Sequence, residues 1–193
     1  MIFAEDIRAA MDSGPMIERY GRMTGVKFWV YLIVMFFLNA GACAVGLFRF
    51  SQWLRQAPFP GPKLSAIVDR FNLFATGAQV RADATIGPGL QIPHPQGVVV
   101  SSYFSAGKNL RLAGTGIAIG FSDIGGDPNK QFIEFGDDVT IATGAKVLGP
   151  LTIGDGASVG PNVVLMQSVP AGGVVMSSAR AKVLKLGAEP GSE

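Results

Sequence analysis

The sequence predicts a mainly β fold: short strands coiled onto three flat faces, preceded by an N-terminal helical region. Three observations predict it. Branched aliphatic residues recur at every sixth position, as Ile141, Val147, Ile153, Val159 and Leu165. A second series, Val139, Ala145, Leu151, Ala157 and Val163, runs two residues ahead of the first. The residue after a member of the first series is often small, as at Ala142, Gly154 and Gly160, and a weaker block repeats the pattern at Val80, Ile86 and Ile92, with Gly87 after Ile86. A fixed six-residue period fits neither a 3.6-residue helix nor simple strand alternation. It fits a coil in which each hexad points one aliphatic side chain inward and sets a small residue at the corner, where a left-handed backbone is cheap. About five coils follow, roughly 24 Å tall at ~4.8 Å per coil.

Composition narrows the class. A chain of 193 residues allows one domain with a small appendage. Only 16% of residues are charged, and mean hydropathy is +0.35, which excludes a disordered chain. A net charge of +2 argues against a nucleic-acid binder that depends on a basic patch. One cysteine, Cys43, excludes an internal disulfide and a cysteine-rich metal site, and one histidine, His94, excludes a multi-histidine metal site. No metal is expected.

The elements follow in order. Residues 1–62 form the N-terminal helical region. Within it Phe28–Phe48 holds 21 positions without a charged side chain, bracketed by Lys27 and Arg49. At 1.5 Å per residue such a run is long enough to cross a hydrocarbon core of ~30 Å. A break at Asn39-Ala40-Gly41 would instead give two short helices dipping into one leaflet, and a helix buried in an oligomer is the third reading. The membrane readings are preferred, so the segment is expected to be membrane-associated. Ala57-Pro58-Phe59-Pro60-Gly61-Pro62 is a stiff connector. Residues 63–76 form an amphipathic connecting helix, with Leu64, Ile67, Val68, Phe71 and Phe74 on one face and Gly77 just past its end. Residues 77–175 carry the repeat and 176–193 a C-terminal tail. The repeat is interrupted twice, at His94-Pro95-Gln96-Gly97 and at Gly120–Phe132, a stretch rich in Gly, Asp, Pro and Asn that predicts an extruded loop.

These hexads resemble those of the hexapeptide-repeat acyltransferases, whose fold is a left-handed parallel β-helix. Residues 86–100, IGPGLQIPHPQGVVV, are similar to the serine acetyltransferase pattern I-G-x-G-(I/L)-x-L-D-H-x-x-G-V-V, matching at Ile86, Gly87, Gly89, Leu90, His94, Gly97, Val98 and Val99. The block GDDVTIATGAKVLGPLTIGDGASVGPNVVLMQSVPAGGVV and the following SSARAKVL resemble the later coils of the same family. The resemblance covers nearly everything after residue 77.

The resemblance implies an acetyl-CoA-dependent O-acetyltransferase and a homotrimer whose acceptor site is completed by the adjacent chain. Transfer from a thioester to an alcohol needs a base that takes the hydroxyl proton at neutral pH, and an imidazole suits that task. His94 is the only candidate. By position, Thr143, Gly144, Ala145, Gly160 and Pro161 are candidates to meet the pantetheine arm of acetyl-CoA, and Arg180 and Lys182 its phosphates. Cys43, inside the apolar run, is not expected to act as an acyl nucleophile, so transfer is direct.

Departures from the family pattern bear on the acceptor. Its Asp before the catalytic His is Pro93 here, its orienting Asp falls on Gln79, and its second histidine lies where this chain reads Asp127-Pro128-Asn129-Lys130. The P-H-P-x-G-V-V form resembles the exopolysaccharide, colanic-acid-type acetyltransferases. The expected acceptor is therefore a hydroxyl of a sugar or a lipid-linked sugar in surface-polysaccharide biosynthesis, at the cytoplasmic face of the inner membrane. Gln79, Asp123 and Asp127 are the candidate acceptor-side residues. Serine O-acetylation for cysteine biosynthesis, and a catalytically silent β-helix scaffold in a membrane complex, are the alternatives.

Overall fold

The computed structural model describes residues 5–6, 39–121 and 132–178. Helix α1 spans Ala40–Gln56 and opens at Asn39, whose Oδ1 accepts the Ala42 N–H at 3.1 Å. That side chain satisfies one of the backbone donors that a first helical turn leaves unpaired. Ala44, Val45 and Phe48 join the same apolar core as the coil that follows, so α1 closes one end of it.

Helix α2, Gly61–Thr76, runs back along α1: Ser51 meets Ser65, and Asn72 meets the Ala44 carbonyl. Pro62 sits in its first turn, where a missing N–H costs nothing, so the stiff connector is shorter than its prolines suggested. The helix stops at Gly77, which takes φ +76° and returns its N–H to Leu73 O at 3.0 Å.

No helix among the described residues is long and apolar enough to cross a membrane. From Asn39 onward the uncharged segment is a capped helix lying on the coil, with Phe48 fully buried; residues 28–38 lie outside the described residues. The expectation of one membrane-associated segment continuing through Phe48 is thereby corrected. Asn39 caps the start of α1, and that helix buries Ala44, Val45 and Phe48 against the coil.

The coil consists of three parallel sheets. One stacks Gln79–Val80, Val99–Val100, Ala118–Phe121, Lys146–Gly149 and Val164–Leu165. A second stacks Thr85–Ile86, Phe104–Ala106, Ile133–Phe135 and Leu151–Ile153, and the third Arg111–Ala113, Thr140–Ala142, Ser158–Val159 and Val174–Val175. The pairings Ser158↔Thr140 and Lys146↔Val164 repeat every eighteen residues, one coil of three hexads. Every member of both aliphatic series is buried, from Val139 through Leu165. This is the architecture expected of a β-helix built on hexapeptide repeats.

The corners differ from expectation in one respect. At Gly87 and Gly154 the small residue that follows the inward aliphatic is there for close approach, not for a left-handed backbone: a Cβ at Gly154 would lie 2.5 Å from the Ala171 nitrogen in the next coil. The left-handed residue comes two positions later, at Gly156, Gly144 and Asn162, with φ of +65°, +71° and +55°.

Candidate functional site

One corner of the coil carries a vertical ridge formed by Gly77, Gly97, Gly116, Gly144 and Asn162. Each lies two residues before a strand of the five-stranded sheet, and those strands pair in register as Gln79↔Val99, Val99↔Ala118, Ala118↔Lys146 and Lys146↔Val164. Backbone bonds tie the ridge together: Gly116 N–H to Gln96 O at 3.0 Å, Gly144 N–H to Thr115 O at 2.8 Å, Asn162 N–H to Thr143 O at 2.9 Å.

The coils cross this corner with different lengths of chain. Thr140 to Gly144 and Ser158 to Asn162 are the regular spans. Arg111 to Gly116, starting in register with Thr140, is one residue longer. Gln91 to Gly97, starting from the bridge to Arg111, is one residue longer again. His94 lies in this longest span, between Pro93 and Pro95. The added chain must leave the coil outline, and His94 is accordingly exposed while Ile92 and Val98 on either side are buried. Among the described residues, the imidazole makes no hydrogen bond.

The other expected site residues sort as follows. Thr143 and Gly144 lie on the same ridge, two coils from His94, about 10 Å at ~4.8 Å per coil. Thr143 is exposed and its hydroxyl donates to Thr115 O at 3.1 Å, whereas Ala145 is buried in the core. Pro161 is exposed on the ridge beside Asn162, and Gly160 is buried behind it. The N–H groups of Gly144, Ala145 and Gly160 are all engaged inside the coil, with Thr115 O, Ala142 O and Val175 O. Gln79 is held through its backbone to Val98 O at 2.8 Å, and among the described residues its amide does not reach His94. Asp123, Asp127, Arg180 and Lys182 lie outside the described residues.

Three contributors were missed. Gly41 places the first turn of α1 directly on the Ile92 carbonyl, two residues from His94; a Cβ there would collide with that oxygen. Arg49 donates from Nη1 to Ile86 O at 2.8 Å and from Nη2 to Gly87 O at 2.7 Å, and pairs with Asp6. Lys146 donates its ammonium to Gly116 O and Gly144 O, cross-linking two ridge residues. A charge at the edge of an apolar run, and a lone lysine in a regular hexad, were the available signals. Cys43 is half-buried in α1, and burial pushes its thiol above the ordinary value, consistent with no role as a nucleophile.

A coil of hexads closed by a helix, with an exposed imidazole on a bulged corner, defines a hexapeptide-repeat transferase, and the bacterial transferase hexapeptide family (six repeats) matches residues 133–167. The serine acetyltransferase of Mycobacterium tuberculosis is 31% identical over 172 residues, covering 89% of this chain and 67% of that protein. That of Bacillus subtilis is 29% identical over 166 residues, covering 86% and 69%. Soybean serine acetyltransferase complexed with serine superposes with a TM-score of 0.70 at 28% identity, over 93% of this chain and 67% of the other. The Neisseria gonorrhoeae enzyme, at 22% identity and a TM-score of 0.73 over 95% and 65%, shares the fold. The chain belongs to the serine acetyltransferase family. It spans about two-thirds of the length of these relatives.

These relatives overturn the expected acceptor. They are named for serine, not for a sugar. The P-H-P-x-G-V-V form misled because it is a local match. Its Pro93 and Pro95 frame a corner bulge, a backbone role that says nothing about which hydroxyl approaches.

Proposed function

We propose that this chain transfers the acetyl group of acetyl-CoA to the hydroxyl of L-serine. The observation that carries the reading is the placement of His94: the only imidazole of the sequence, exposed on an over-long corner of the ridge that also bears Thr143 and Gly144. Family membership supports serine as the acceptor.

In this reading His94 accepts the serine hydroxyl proton as the oxygen attacks the thioester carbonyl. The tetrahedral centre collapses with breakage of the carbon–sulfur bond. The proton on His94 passes to the departing CoA sulfur, leaving O-acetylserine, CoA and a neutral imidazole. Acetyl-CoA lies along the ridge against Thr143, Gly144 and Pro161. With Pro93 and Gln79 where the family has carboxylates, the acids proposed for the serine ammonium are Asp123 and Asp127. The chain is proposed to act as a homotrimer, in which exposed Val99, Val164 and Val174 find cover and a second protomer completes the acceptor site.

The test is direct. Purified chain is incubated with acetyl-CoA and, in turn, L-serine and a panel of sugars, and both free thiol and acetylated product are quantified. The reading requires O-acetylserine formed in step with thiol. Thiol release that depends on a sugar and not on serine would overturn it.

A further inference from the structure

Helix α2 is turned inside out. Its stripe Leu64, Ile67, Phe71 and Phe74, at spacings of three and four, points away from the protein, with exposures of 42%, 64%, 55% and 88%. Its polar stripe faces α1 instead. Ser65 Oγ meets Ser51 Oγ at 2.9 Å, Asp69 accepts from Ser51, and Asn72 donates to Ala44 O at 2.9 Å. On α1, Phe50 and Trp53 are also exposed and stack at 5.7 Å. At the turn between the helices, Phe59 is 78% exposed beneath the Lys63 ammonium, 5.3 Å from the ring centroid. Seven large apolar side chains of one helical hairpin are thus exposed, four of them in a single stripe, beyond scattered surface exposure.

We propose that this hairpin face docks on a lipid surface carrying anionic headgroups. Three features of the molecule point to lipid. First, α1 and α2 hold each other through hydrogen bonds between polar side chains, the kind of contact that keeps helices together where the surroundings are as apolar as the outward face. Second, between residues 40 and 76 the charged residues are Arg49, Arg55, Lys63 and Arg70 against the single acid Asp69. Arg49 is committed to Asp6 and Arg55 to Asp83, while Lys63 and Arg70 have no carboxylate partner among the described residues. Those two flank the outward stripe and complement anionic headgroups. Third, the sequence that leads into Asn39 is FWVYLIVMFFL, eleven residues without a charge. The hairpin would lie in the interface, with aromatic rings at headgroup depth and the Phe59–Lys63 pair as an anchor. This differs from a membrane-spanning segment: the docking surface is the outer face of folded helices.

The full chain is sedimented with vesicles of phosphatidylglycerol and phosphatidylethanolamine, and separately with phosphatidylcholine alone, alongside Phe71→Glu/Phe74→Glu and Lys63→Glu/Arg70→Glu. All four side chains are exposed, so both variants should keep the wild-type circular dichroism and thermal midpoint. The unmodified chain should bind the anionic vesicles more strongly than the phosphatidylcholine ones. The Phe pair should lower anionic binding about 10-fold or more, and the charge pair should abolish the preference for anionic lipid. Equal binding by the unmodified chain and the Phe variant, or no binding by either, would overturn the proposal. So would an oligomer that the Phe variant dissociates without any vesicle binding, which would make this face a contact between copies.

Discussion

Arg49 and Asp6 lie 43 residues apart in the chain, and their side chains meet at 2.7 Å, Nε to Oδ2, with Asp6 fully buried. The pair fastens the start of the chain beneath the Gly87–Leu90 corner. Asp6 Oδ1 accepts from Gly89 N–H at 2.8 Å and Leu90 N–H at 2.9 Å, while Arg49 supplies the carbonyls of Ile86 and Gly87. Both ions have their remaining hydrogen-bonding capacity used, the condition under which a buried pair is tolerated. The corner it holds lies four residues before His94.

Asp6→Ala would leave the Arg49 guanidinium buried without its counter-ion and two amides without acceptors. Breaking such a pair from one side costs about 3 kcal/mol or more. The urea midpoint should fall accordingly, and Asp6→Asn, which keeps an acceptor for the two amides, should lose less. An unchanged midpoint for Asp6→Ala would mean that the pair does not hold the corner.

The two kinds of corner glycine should respond differently to a methyl group. Gly154→Ala forces a Cβ onto the Ala171 backbone of the next coil, so the coils must separate, at a cost of about 1–3 kcal/mol. Gly156→Ala meets nothing within 4 Å and pays only for its left-handed φ of +65°, about 1–2 kcal/mol. Gly156→Asn should recover most of that loss, because asparagine already occupies the equivalent conformation at Asn162, whereas Gly154→Asn should be worse than Gly154→Ala. Thermal unfolding of the four variants distinguishes strain from collision.

Gly41 links packing to chemistry. Gly41→Val would push α1 off the Ile92 carbonyl and shift the segment that carries His94. A 1 Å misplacement of a catalytic group commonly costs about 100-fold in rate, so kcat should fall by that order while the β-helix circular dichroism signal persists. A fall in rate matched by loss of the folded signal would show that Gly41 matters only for folding.

The coil was legible because its signal is redundant. Val139 through Leu165 state the same rule in consecutive hexads, and each position is buried where the period puts it. The His94 interruption was legible too, but not its size: the over-long corner emerges only once Gln91 is paired with Arg111 and Gly97 is aligned with Gly116. The direction of α2 was not legible. Leu64, Ile67, Phe71 and Phe74 define a stripe, and a stripe alone does not say whether protein lies under it; Ser51, on another helix, decides that by bonding Ser65 and Asp69. Phe28–Phe48 was bounded by charge alone, since apolar composition is the same whether a helix meets lipid or a β-helix core. The acceptor was misjudged for a related reason. Pro93 and Pro95 shape backbone, and a sugar and an amino acid both present the same reacting group, a hydroxyl.

The central claim is that His94 is the base for acetyl transfer to serine, and it is tested most directly by the rate of O-acetylserine formation by His94→Ala. The side chain is exposed and, among the described residues, unbonded, so the variant should keep its oligomeric state and thermal midpoint and still bind acetyl-CoA. The transfer rate should fall by roughly 10²–10⁴, the usual worth of a positioned base. Transfer to serine by a folded His94→Ala chain at near the unmodified rate would contradict the account.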